Sequence, residues 1–67
     1  MTVCPLSPRQ LEAVKLISKD KIAKVVAHEM GTTVNVITGY LQIARLKTDT
    51  VTTTGLVAKA IREKWIE

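Results

Sequence analysis

The chain has 67 residues, 46% of them hydrophobic, with ten Lys and Arg against six Asp and Glu and a net charge of +4. A single cysteine excludes an internal disulfide, and one Cys with one His cannot supply the four ligands of a structural zinc site. No apolar run approaches the roughly 18 residues of a membrane span, the first residues lack the basic start and apolar middle of a signal peptide, and the apolar content is too high for disorder. The composition therefore implies one small, basic, cytoplasmic domain, which must pack well because a chain this short buries only about 60% of its unfolded surface.

Residues 1–5 read as an arm, and the remainder, 6–67, as the domain. Leu6-Ser7-Pro8 opens the first helix: Ser7 can cap the first amides, Pro8 suits a position that needs no N–H, and Leu6 is spaced to staple onto Leu11. The helix runs over 8–18 with Leu11, Val14 and Ile17 on one face. Asp20 is placed to cap a second helix over 21–30, whose apolar face is Ile22, Ala23, Val26, Ala27 and Met30. Gly31 follows where a left-handed C-terminal residue is expected.

The third segment is ambiguous by propensity. Its β-branched run with Gly39 reads locally as a strand, yet Ile37, Leu41 and Ala44 keep the helical period and a lone strand would have no partner. The spacing predicts a helix over 34–47, capped by Thr33. A polar link over 48–54 precedes a fourth helix over 55–64, capped by Thr53 or Thr54, with Leu56, Val57, Ala60 and Ile61 as its stripe. Trp65 and Ile66 fold back on the core. The expected class is all-α with four helices.

Helix, tight glycine turn and helix is a helix-turn-helix pattern, in which the later helix enters the DNA major groove. The resemblance goes further. LSPRQLEAVKLIS (6–18) resembles the opening helix of the LuxR/FixJ/GerE-type helix-turn-helix domain. IAKVVAHEMGTT (22–33) is similar to that family's second helix and turn, VNVITGYLQIARLK (34–47) sits at its recognition helix, and LVAKAIREKWI (56–66) resembles its fourth. The likeness is gap-free from Leu6 to Ile66.

The resemblance implies a free-standing transcriptional regulator that binds a pseudo-palindromic operator in double-stranded DNA as a homodimer and positions or blocks RNA polymerase. It places base contacts at Asn35, Thr38, Gly39 and Gln42. Phosphate contacts fall on Thr33, Tyr40, Lys47, Thr52 and Thr53, and the fourth helix (Leu56, Lys59, Ala60, Glu63) forms the dimer interface. The family often has Lys or Arg where this chain has Thr38 and Gln42, and an aliphatic residue where it has Thr32 and Thr48.

The residues support part of this on their own. No acidic residue occurs from Met30 to Thr48, so nothing there repels phosphate, and Arg45 and Lys47 add positive charge. Lys15, Lys19, Lys21 and Lys24 form a denser cluster; Lys21 and Lys24 can hold the DNA backbone, or the run is a solvated face. Asn35 and Gln42 suit adenine edges, and Thr38 suits a thymine methyl. His28 lacks ligand partners and reads as structural. Cys4 reads as an ordinary thiol, and Trp65 as core or dimer packing rather than a base-stacking platform. No nucleophile–base pair or phosphate loop is present and no pocket of a few hundred Å³ is expected, so neither catalysis nor a cofactor, metal or small-molecule ligand is expected. The rival reading is an interaction module that has lost DNA reading and pairs with a related regulator through Leu56, Ala60, Ile61 and Trp65.

Overall fold

The computed structural model describes residues 4–66, so part of the arm lies outside the described residues. Four helices and no strand occur among them: α1 Pro8–Ser18, α2 Ala23–Met30, α3 Val34–Thr48 and α4 Thr53–Arg62. The ambiguous third segment is a helix. Its apolar residues Ile37, Leu41 and Ala44 are buried, and burying a periodic face outweighs the few tenths of a kcal/mol per residue by which β-branched side chains disfavour helix.

The helix starts follow side-chain oxygen atoms. Ser7 Oγ accepts from the Gln10 amide at 3.3 Å, while Gln10 Oε1 accepts from the Ser7 amide at 3.1 Å. This reciprocal pair satisfies two orphan donors at once. Thr33 Oγ1 accepts from the Val36 amide at 3.3 Å. The α4 cap is Thr52, whose Oγ1 accepts from the Gly55 amide at 3.0 Å; the expected caps Thr53 and Thr54 are already inside the helix. Asp20 does not cap α2. It sits in the left-handed region at φ 65°, and α2 begins two residues later than expected, from Ile22, with no side-chain cap. Gly31, at φ 67°, closes α2 as expected.

α3 runs one residue further than the spacing predicts and takes in Thr48. This residue is buried, but its hydroxyl is satisfied: Oγ1 donates to the Ala44 carbonyl at 2.7 Å, and Thr50 Oγ1 lies 3.0 Å away. A threonine can replace an aliphatic residue here because its hydroxyl bonds back onto its own helix.

α3 packs against all three other helices, and α1 does the same. The core between them takes Ala13 and Val14 from α1, Val26, Ala27 and Met30 from α2, and Leu56 and Ala60 from α4, with Leu6 and Ile66 closing its ends. The inward face of α1 is rotated from the expected one: Gln10, Ala13 and Val14 are buried, while Leu11 and Ile17 lie at its margin. Ile22, expected on the apolar face of α2, is 66% exposed. Trp65 packs on the core as expected. Its indole Nε1 is buried with no hydrogen-bond partner among the described residues.

Leu56 and Ala60 require a correction. Both are 0% exposed, so they hold α4 to the chain's own core and cannot face a partner. The outward face of α4 is Thr54, Ala58, Ile61 and Arg62, all exposed.

Candidate nucleic-acid interface

The buried residues Ile37, Leu41, Ala44 and Thr48 fix the rotation of α3. At 100° per residue, the opposite side of the helix carries three parallel ranks, each pairing residues about two turns apart. Asn35 and Gln42 form a polar rank and Val36 and Ile43 an apolar one, with Gly39 and Leu46 between them. Thr38 flanks the polar rank. Asn35, Thr38 and Gln42 are all exposed, so three of the four expected base-reading side chains share one solvent face. Gly39, the fourth, contributes open backbone: a Cβ built there meets nothing within 4 Å.

The apolar side chains of this face stand well out in solvent. Val36 is 38% exposed, Ile43 43% and Leu46 77%. Their placement follows from the helical period, because once Ile37, Leu41 and Ala44 face inward these three must face out, whereas local β-branched propensity carries no such information.

The expected phosphate contacts divide by their surroundings. Thr33 and Thr52 are N-caps, so each oxygen is occupied as an acceptor while its hydroxyl proton is left to donate outward. Both stand at helix N-termini, where amides and dipole favour an anion. Thr53 Oγ1 accepts from Arg45 Nη1 at 3.0 Å, and Lys47 Nζ donates to Gln10 Oε1 at 3.2 Å. These two cations therefore brace the last turn of α3 against α4 and α1. Lys47 is exposed, whereas Arg45 is half-buried. Lys21 Nζ is held by both Glu29 oxygens, at 2.7 and 2.8 Å, which halves the positive field expected from the Lys21 and Lys24 pair. Lys24 is exposed and forms no ion pair among the described residues. Tyr40 is half-buried against the core.

Two expected dimer residues have internal roles. Lys59 Nζ donates to the Thr48 carbonyl at 2.8 Å, capping the C-terminus of α3, and Glu63 ends α4, its amide donating to the Lys59 carbonyl. The turn is braced from α1, where Arg9 Nη2 donates to the Met30 carbonyl at 3.0 Å. That bond ties the end of α2, and so the entry to α3, to the first helix.

An open groove of about 500 Å³ runs between α1 and the chain end, lined by Pro8, Leu11, Glu12, Lys15, Lys64, Trp65 and Ile66. This is larger than expected for so short a chain, and it lies away from the outward face of α3. His28 is exposed, Cys4 is half-buried against the core, and no cluster of three potential metal ligands occurs among the described residues. No helix of the described residues is long and apolar enough to cross a membrane. No protein-family model matches the chain, and no curated protein is a detectable relative.

Proposed function

We propose that the chain is a sequence-specific DNA-binding transcriptional regulator of the LuxR type, with α3 as the helix that enters the major groove. The observation that carries this reading is the joint exposure of Asn35, Thr38 and Gln42 on the solvent side of α3, with open space beside the Gly39 backbone. The left-handed Gly31 turn leads α2 into α3, and the Arg9 brace ties the end of α2 to α1. The open N-termini of α3 and α4, at Thr33 and Thr52, suit phosphate contacts that set position, while the α3 side chains suit base edges that set sequence. Lys24 and Lys47 supply charge at the margins.

Operators read by such domains are two-fold related, so the active species in this reading is a homodimer in the cytoplasm that positions or blocks RNA polymerase. The surface of α4 left for the second copy is Ala58, Ile61 and Arg62. The alternative is an antagonist that pairs through α4 with a related regulator. The burial of Leu56 and Ala60 removes two anchors from it and two from the homodimer alike, so DNA binding is what separates the two readings.

Selection from a pool of random duplex DNA, followed by anisotropy on the winner across a salt series, tests the reading. The expected result is a two-fold site bound at least about a thousandfold tighter than random duplex. Absence of enrichment, with weak and steeply salt-dependent binding, contradicts it.

A further inference from the structure

We infer that the operator core contacted by α3 consists of A·T pairs and is read in large part through thymine methyl groups. The inference rests on the DNA-binding reading above and concerns what that same face selects.

The chemistry of the face carries the argument. In the major groove, guanine offers two acceptors that Arg or Lys reads, whereas adenine offers an acceptor and a donor that fit a side-chain amide, and thymine offers a methyl group that fits an apolar side chain. The three outward ranks of α3 hold Asn35 with Gln42, Val36 with Ile43, and Gly39 with Leu46. Of the two basic residues of the helix, Arg45 donates to Thr53, and Lys47, at the C-terminal end of the Val36 and Ile43 rank, donates to Gln10. From Val34 to Ala44 the face therefore lacks a guanine reader and presents two carboxamides and two branched aliphatic side chains.

The pairing of ranks matches an A·T pair across its width. The adenine edge on one strand and the thymine methyl on the other share the groove floor, and the carboxamide and aliphatic ranks flank the Gly39 and Leu46 rank on the same outward face, with Leu46 adding a third exposed aliphatic side chain. Gly39 sits between them with open space where a Cβ would be, so the backbone can approach the base edges at the centre of the face. Exposure points the same way. Val36 at 38% and Ile43 at 43% leave methyl groups in water that contact with thymine methyls would remove.

The test is made on the DNA, so folding of a variant does not enter it. The duplex recovered by random selection is resynthesised with deoxyuridine in place of each thymidine in the half-site core, which removes only the 5-methyl groups. Each contacted methyl should be worth roughly fourfold in affinity, so a half-site with two such contacts should weaken by about tenfold or more. In the Val36→Ala/Ile43→Ala double variant, checked for an unchanged helical spectrum, the thymine-to-uracil penalty should shrink to less than about twofold. An enriched two-fold site led by G·C pairs overturns this inference and leaves the regulator reading standing. So does an A·T site bound equally well with uracil. Failure to enrich any site removes both.

Discussion

At the residue scale the informative positions are those where local preference and observed placement disagree. Gly39 lies in mid-helix, where glycine costs about 1 kcal/mol relative to alanine, and nothing in the fold requires it, since a Cβ there meets no atom within 4 Å. Gly39→Ala should therefore stabilise the free protein by roughly 0.5–1 kcal/mol and raise its Tm by several degrees, while weakening specific DNA binding. Thermal melting followed by circular dichroism reads the first effect and anisotropy the second. A rise in stability with unchanged affinity would show that no ligand approaches the backbone at this point. Gly31 differs because its φ of 67° closes α2, so the same substitution there should destabilise. Thr48 shows a different limit. It counts as polar in the sequence and so reads as link, but its hydroxyl is satisfied within its own helix.

At the element scale, helix existence and type were legible and helix edges less so. The periods of Val26-Ala27-Met30 and Ile37-Leu41-Ala44 fixed α2 and α3 because each defines one buried face. The caps were harder: Thr52, Thr53 and Thr54 are chemically equivalent, and only the packing of Leu56 and Ala60 decides which of them precedes the first turn. Asp20 likewise satisfies a capping pattern, yet it adopts a left-handed turn and α2 starts from Ile22. The exposed face of α3 was half legible, its polar positions through amide and hydroxyl chemistry and its aliphatic rank not at all. Arg45 and Lys47 are engaged by residues distant in sequence, Thr53 and Gln10, and Lys21 is neutralised by a carboxylate eight residues on, so the free positive field is smaller than the count of basic residues implies. Glu29 is the clearest case, since it holds Lys21 with both carboxylate oxygens. Glu29→Gln should release that lysine, raise non-specific duplex affinity and steepen the dependence of log K on log salt by about 0.9, the value for one more phosphate neutralised. An unchanged slope would place Lys21 away from the DNA backbone.

At the scale of the whole molecule, the small core sets a narrow margin. A chain of this length has a total stability of only roughly 3–10 kcal/mol, and Leu56 is 0% exposed. Leu56→Ala should cost about 2–5 kcal/mol, a large share of that total, visible as a Tm lowered by roughly ten degrees or more in a thermal melt. Ile61, which is 49% exposed on the outward face of α4, should behave oppositely. Ile61→Asp should leave the fold intact and, if α4 carries the two-fold contact, lower the sedimentation mass from dimer to monomer. A variant that unfolds at Ile61 and not at Leu56 would contradict the observed packing.

The central claim is that the outward face of α3 is the surface that meets DNA. A titration of the ¹⁵N-labelled protein with its selected duplex, followed residue by residue through amide shifts, tests this most directly. The account predicts the largest changes at Asn35, Val36, Gly39, Gln42 and Ile43, with smaller ones at the helix starts Thr33 and Thr52, and little change at the Leu11 and Trp65 groove. Shifts concentrated in that groove or along α4, with α3 undisturbed, would contradict it.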